Sequence, residues 1–389
     1  MKRFIYGALV SLLLLGGCAP KFEKQDEVIQ EEDKTKETAI IPNYNISNQY
    51  YRTILPFKPS QSRGVVVGNL NTRYDIAEFE TGLMRIAQNV FSTEDYFFQE
   101  GQYLDRSTIN AWLNRKYTEQ ELKAKKIDPE KNLGLNPPND GKGTIAEQNE
   151  KNPIYLAHIL EHNYLIKSDE DTVKLGGVVI GLALNSVHYY QEIQYGPTFT
   201  VDIPHEKVVE QGKKIADEVL KRLRQMDGLS NIPIVIALYE QKGKNSVVPG
   251  NFFAYTYVSN NSSKIDKWEE VNEKYYLFPS SEAEKEKRED YTIFVNFKDD
   301  VEEYFPNYNG VVGRGFYVND QLQDLKIEIP IQFYGKGETI GFTQYVTGLV
   351  MDHFPPYLNV EVNVTSVTGP EALIVRKPNE NEPFVHIYD

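Results

Sequence analysis

Cys18 is the single cysteine in a chain of 389 residues. No disulfide can close within it, so any fold it adopts is held together by its core. The cysteine also has a particular setting. Lys2 and Arg3 make a short positive start, residues 4–15 (FIYGALVSLLLL) are apolar except for Gly7 and Ser11, and Gly16-Gly17 precede Cys18. A cationic start, a short apolar core and small residues at the end read as a secretory signal. The core is too short to cross a hydrocarbon layer of about 30 Å, which takes roughly 20 residues. The small pair before a cysteine makes the stretch a lipobox. The expectation is diacylglycerol on the Cys18 thiol and cleavage between Gly17 and Cys18. The mature part is then a lipid-anchored protein on the extracytoplasmic face of the cell membrane.

Composition decides three further points. The length allows two domains or three, and 26 Tyr with 19 Phe supply material for a sizeable core. The formal net charge is −14, and losing Lys2 and Arg3 with residues 1–17 would make the mature part more acidic still. Such a charge argues against nucleic acid as a partner and favours standing off an anionic membrane. Residues 19–48 are dense in Lys, Glu, Asp and Gln, so 18–48 is expected to be a flexible tether.

Periodicity organises the rest. Phe79, Leu83, Ile86 and Val90 fall on one helix face, Tyr96 to Leu104 reads as a strand or hairpin, and Asp105 opens a short helix. Residues 63–67 (RGVVV) read as a short strand, and 116–150 as a long surface insertion. Leu175 to Leu184 is apolar enough for a central strand. A helix follows Pro204, then strands at Ile232–Tyr239 and Phe252–Val258. A second series begins with a helix carrying Phe294, Phe297 and Val301. It continues with strands near 315–318 and 325–333, a helix over 338–354, and strands at 360–364 and 372–375. Both halves read helix, strand, strand, helix, strand, strand. The expected class is α+β, with two similar α+β repeats at 49–258 and 259–389 packed together behind signal and tether.

Several short segments stand in this order along the chain: Tyr51-Arg52-Thr53-Ile54-Leu55-Pro56-Phe57-Lys58, Asn132-Leu133-Gly134-Leu135-Asn136-Pro137, Gly196-Pro197-Thr198-Phe199, Glu338-Thr339-Ile340-Gly341 running into Thr343-Gln344-Tyr345-Val346, and Val385-His386-Ile387-Tyr388. Together they resemble the CamS family of sex-pheromone-precursor lipoproteins of Gram-positive bacteria. The resemblance implies a membrane-attached lipoprotein of two repeats without an established biochemical activity. It also implies that the cut signal peptide is trimmed to its last seven residues, here Ser11, Leu12, Leu13, Leu14, Leu15, Gly16 and Gly17. These depart from the alanine- and isoleucine-rich heptapeptide expected of the name-giving member. Activity toward the same receptor therefore does not follow, and a signal peptide that is merely degraded stands as the alternative.

Two constellations compete for the mature part. His158-Ile159-Leu160-Glu161-His162 matches H-x-x-E-H; on a helix the histidines would share a face and could hold zinc, with Glu161 as general base. This is the hydrolase alternative. The other is a tyrosine-lined groove between the repeats for a peptide or cell-wall ligand, with Tyr255, Tyr257, Trp268, Tyr275 and Tyr276 as its candidates and the helix start at 335–338 nearby. The same side chains could instead glue the repeats together. Glycine-rich phosphate loops after a strand and Gly-x-Ser-x-Gly are absent from the sequence, so no cofactor is expected, and the reading preferred is a binding protein rather than an enzyme.

Overall fold

The structure is a computed structural model that describes residues 26–32, 35–168, 172–304, 310–332 and 335–389. In chain order the first half contains β1 (Asp26–Glu32), β2 (Thr35–Ile41), β3 (Arg52–Thr53), α1 (Val66–Asn69), α2 (Arg73–Ala87), β4 (Tyr96–Glu100), α3 (Arg106–Leu113), α4 (Glu119–Lys125) and α5 (Ile145–Lys151). It continues through β5 (Leu156–Ser168), β6 (Thr172–Asn185), β7 (Val187–Gln191), β8 (Thr198–Asp202), α6 (His205–Leu223), β9 (Ile234–Gln241), β10 (Asn251–Val258) and β11 (Glu269–Glu270). The second half contains β12 (Glu273–Phe278), α7 (Ser281–Glu286), α8 (Arg288–Tyr304), β13 (Val312–Val318), β14 (Gln321–Pro330), α9 (Lys336–His353), β15 (Asn359–Ser366), β16 (Gly369–Arg376) and β17 (Phe384–Ile387).

The first sheet runs β11-β10-β9-β6-β5-β4-β3. Its central strands β6 and β9 are apolar at consecutive positions because both faces are covered. Val178, Ile180 and Leu182 face α3 and α6, together with Ile109, Trp112, Val219 and Leu223. Val179, Ala183 and Val235 face α2, together with Phe79, Leu83 and Ile86. Thr72 caps α2, its hydroxyl accepting the Asp75 N–H at 3.0 Å. The helix sits close on the sheet because Gly177 and Gly181 lie beneath aromatic rings. A Cβ on Gly177 would come within 2.3 Å of Phe91, and one on Gly181 within 2.8 Å of Phe79.

The second sheet runs β12-β13-β14-β15-β16-β17. Alternation gives it one apolar and one polar face. Leu325, Ile327, Val360 and Val362 pack under α8 and α9 with Phe294, Phe297, Phe342 and Val346. Among the described residues the opposite face carries no helix of its own half, and it looks toward α2 of the first. In both halves an antiparallel pair leads through a helix to a parallel neighbour and then to an antiparallel one: β5, β6, α6, β9, β10 and β13, β14, α9, β15, β16. The first half adds β4, α3 to α5 and the β7–β8 ribbon to this common path.

Three expectations are corrected. Residues 26–41 are not tether: β1 and β2 form an antiparallel hairpin, and β1 runs parallel to the start of β6 through Ile29↔Thr172. Val28, Ala39 and Ile41 are buried with Phe97, Leu165 and Val173. So few apolar residues cannot build a core, but they suffice to extend one whose sheet is already formed. The remainder of the expected tether before Asp26, the lipobox and residues 11–17 lie outside the described residues. Residues 63–65 are a turn and Val66 and Val67 open α1, so the segment is not a strand. The chain leaves the first sheet after β11 and enters the second at β12, so the expected boundary at 258/259 falls within the first half.

Candidate functional site

The open face of the second sheet and the outer face of α2 enclose a cleft of about 640 Å³. On the helix side Tyr74, Ala77, Thr81, Arg85 and Gln88 line it. Their spacing puts them on the face opposite Phe79, Leu83 and Ile86. On the sheet side the strand register builds a rectangular array of side chains. Tyr275, Phe316, Asp324 and Asn359 stand opposite one another across β12, β13, β14 and β15. Arg314, Lys326 and Glu361 form the next row. Neighbours in such an array are about 4.8 Å apart across the strands and about 7 Å along them. Asn359 Nδ2 donates to Asp324 Oδ1 at 2.6 Å, and Asn363 Nδ2 donates to Glu361 Oε1 at 3.0 Å. The Tyr275 and Phe316 rings lie 4.7 Å apart.

One end of the cleft is closed by a charged clamp. Arg85 Nη2 donates to Glu78 Oε1 at 2.5 Å and to Glu273 Oε2 at 2.7 Å, while its Nε donates to Glu273 Oε1 at 2.9 Å. Tyr275 donates its hydroxyl to the other Glu78 oxygen at 2.5 Å. Glu78 and Arg85 belong to the first half, Glu273 and Tyr275 to the second. Burial pushes the Glu78 carboxyl up, against the pull of Arg85 and the Tyr275 hydroxyl. Burial opposes the Arg85 charge as well, but the hydrogen bond to Glu273 and the two carboxylates outweigh it and hold the guanidinium protonated. Two ring contacts complete the join: Arg85 lies 4.6 Å from the Phe316 ring and Arg314 4.5 Å from the Tyr74 ring.

Of the side chains expected in a groove, Tyr275 lines this cleft and the others do not. Tyr276 follows it on β12 and points the opposite way. It is 4% exposed in the second core and donates to Glu286 Oε2 at 2.7 Å. Tyr255 and Tyr257 stand on β10 of the first sheet, Tyr257 half exposed. Trp268 packs against the α6 side of that sheet, with Lys213 Nζ 5.6 Å from its ring. The start of α9 lies by β16, Lys336 Nζ being 3.7 Å from Glu371. Tyr74, Arg314, Asp324, Lys326 and Glu361 are cleft residues that the sequence does not single out. The alternation in Leu325-Lys326-Ile327-Glu328 shows which residues leave the core, but not that another half faces them.

The H-x-x-E-H segment is not on a helix. It lies in the middle of β5, where His158 and His162 point to the α2 side and Glu161 to the other. His162 stacks edge-on against Phe98, and His158 Nδ1 lies 3.2 Å from Asn69 Nδ2. The Glu161 carboxylate accepts the backbone N–H groups of Gln102, Tyr103 and Leu104, the last at 2.7 Å. Burial pushes His158 down to about 4 and His162 to about 3. No group of three potential metal ligands occurs among the described residues. With the glutamate on the opposite face and committed to three amides, the zinc-hydrolase alternative falls. Apolar residues at 156, 159, 160 and 164 satisfy a helix, but they satisfy equally a strand buried on both faces.

Known proteins share this architecture. A family description reading CamS sex pheromone cAM373 precursor matches residues 57–382. The C-terminal domain of the sex pheromone staph-cAM373 precursor from Staphylococcus aureus is 36% identical, with a TM-score of 0.71 over 82% of this chain and 98% of that one. A sex pheromone precursor from Lactobacillus salivarius is 35% identical, with a TM-score of 0.80 over 90% and 99%. No curated protein sequence matches. No helix among the described residues is long and apolar enough to cross a membrane. The chain belongs to the CamS family of sex pheromone precursors.

Proposed function

We propose that the chain is a lipoprotein precursor with two products. The mature part is anchored through diacylglycerol on Cys18 at the extracytoplasmic face of the membrane. There it acts as a binding protein that takes a ligand in the cleft between its halves. The cut signal peptide is a source of the heptapeptide Ser11–Gly17. The observation that carries the binding role is the cleft, a volume in the usual range of about 300–1,000 Å³ for small-molecule sites and set at a junction between two units. Its titratable groups speak for binding over catalysis. Both Glu78 oxygens are engaged by Arg85 and Tyr275, Asp324 accepts from Asn359, and among the described residues no His or Cys lines the cleft.

Anchoring is tested by changing Cys18 to Ala and measuring partition into a detergent phase. The wild-type protein is expected in the detergent and the variant in the aqueous phase; equal partition removes the anchor. The peptide product is tested by mass spectrometry of culture medium for Ser-Leu-Leu-Leu-Leu-Gly-Gly. Its absence beside detectable shorter fragments supports plain degradation instead.

A further inference from the structure

Resting on the cleft reading, the lining points to one class of ligand. We infer that the cleft binds a short, uncharged oligosaccharide. Three observations carry this. First, the lining, among the described residues, contains no Leu, Ile, Val or Met. Its apolar surface comes from flat rings, those of Tyr50, Tyr74 and Tyr275, with Phe316 packed behind them against Tyr275 and Arg85 and with Ala77 and Pro249 beside. A peptide held by its side chains needs apolar anchor pockets, and none is built here. A peptide held by its backbone needs an open strand edge. The cleft floor instead is a sheet face whose strands β13, β14 and β15 each have neighbours on both sides.

Second, the charges balance. Arg85, Arg314 and Lys326 stand against Glu78, Asp324 and Glu361. A polyanion would meet as many carboxylates as cations, and a polycation the reverse, so neither gains from the field of the site. Third, the polar groups are arrayed beside the rings. In the first row the aromatic pair Tyr275 and Phe316 runs directly into Asp324 and Asn359; in the second, Arg314 is followed by Lys326 and Glu361. A sugar ring has a flat C–H face that stacks on an aromatic ring and an edge of hydroxyls that both donate and accept. Carboxylate, amide and ammonium groups spaced along a rigid sheet can serve several such hydroxyls at once. Tyr50, half exposed at the rim, and Tyr74 offer further rings from the helix side.

Binding is measured by calorimetry on the full chain in detergent, titrated with chitotetraose, cellotetraose and maltotetraose. Polyglycerol phosphate and the peptide Ser-Leu-Leu-Leu-Leu-Gly-Gly serve as comparison ligands. Hydrogen exchange read by mass spectrometry locates each ligand. The expected result is binding of at least one tetrasaccharide, protection confined to the segments that line the cleft (49–50, 73–88, 273–278, 312–328 and 359–361), and a tenfold or greater loss in Asp324→Ala and in Lys326→Ala. Both residues are outside the core, so unchanged melting curves are expected of both variants; Tyr195→Ala, at the tip of the β7–β8 ribbon, should bind as wild type. Protection of the same segments by the peptide or the polyglycerol phosphate, with no tetrasaccharide bound, overturns the oligosaccharide assignment and leaves the cleft as a binding site. Tetrasaccharide protection elsewhere, or binding that both variants retain, removes the cleft itself. No binding by any of the five ligands overturns the oligosaccharide inference.

Discussion

At the scale of single residues, charge buried between the halves matters more than charge on the surface. Arg85 satisfies two carboxylates that come from different halves. Arg85→Met would leave Glu78 and Glu273 facing one another in a partly buried site. Removing one partner of a fully buried pair costs about 3–5 kcal/mol; because the Arg85 side chain is 32% exposed, about 2 kcal/mol is expected, measured by urea denaturation at pH 7. A pH effect is expected from His162. Its folded pKa is depressed to about 3 by complete burial, against roughly 6.5 in an unfolded chain. The unfolded state therefore binds the proton first, and stability falls as pH drops from about 6.5 toward 3. His162 Nδ1 has no hydrogen-bond partner, and the ring packs edge-on against Phe98. His162→Phe should flatten the acid limb of a melting-temperature profile while changing stability little at pH 8; an unchanged acid limb would assign the loss to other groups.

Among elements, the excursion from 116 to 150 shows how a polar segment is held. It carries α4 and α5, neither with a buried residue, yet it is pinned in the middle. The Asn136 amide donates to the carbonyls of Leu113 and Leu156 and accepts from the N–H groups of Tyr155 and Leu156. Gly134 passes so close to the chain that a Cβ would sit 2.4 Å from the Arg115 backbone. Asn136→Ala strands two buried carbonyls and two amides. At about 1–3 kcal/mol for each group left unpaired, a loss of about 2 kcal/mol or more is expected in chemical denaturation. Limited proteolysis should open the same excursion away from this pin, near Gly141 and Gly143, and should spare the β1–β2 hairpin. Early cleavage between Asp26 and Ile41 would count against the hairpin's docking on β6.

For the whole molecule, the consequential fact is that the two halves are layered differently. The first sheet has helices on both faces, the second on one. α2 thereby serves two units, closing one core with its apolar face and walling the cleft with its polar face. Among the described residues the join includes the Arg85 clamp and two cation–ring contacts, and β10 of the first sheet also lies against β12 of the second. Glu273→Gln removes one of the clamp's two carboxylate charges without altering its shape. It should weaken the join, seen as faster hydrogen exchange in β12 and α2, and leave the two cores protected as before.

Much of this molecule is legible in its amino-acid sequence. The central strands β6 and β9 stand out as apolar runs and α2 and α6 as helices by their 3.6-residue spacing, whereas β5 and the β7–β8 ribbon are not anticipated by those signals. Local sequence determines the former because hydrophobic period and caps act over a few residues. It also carries the family segments, and Asn132 to Pro137 contains the pin of the long excursion. What tertiary structure alone decided lies at longer range. β5 is a strand because Val178 to Leu184 lies beside it, although its apolar spacing also fits a helix. The hairpin of residues 26–41 exists because β6 offers it an edge. Tyr275 lines the cleft and Tyr276 does not, because strand register sends neighbours to opposite faces. Asp324, Lys326 and Glu361 face a cleft because α2, more than two hundred residues earlier in the chain, closes over their sheet. Each of these depends on which surfaces meet, and that is a property of packing between segments distant in sequence.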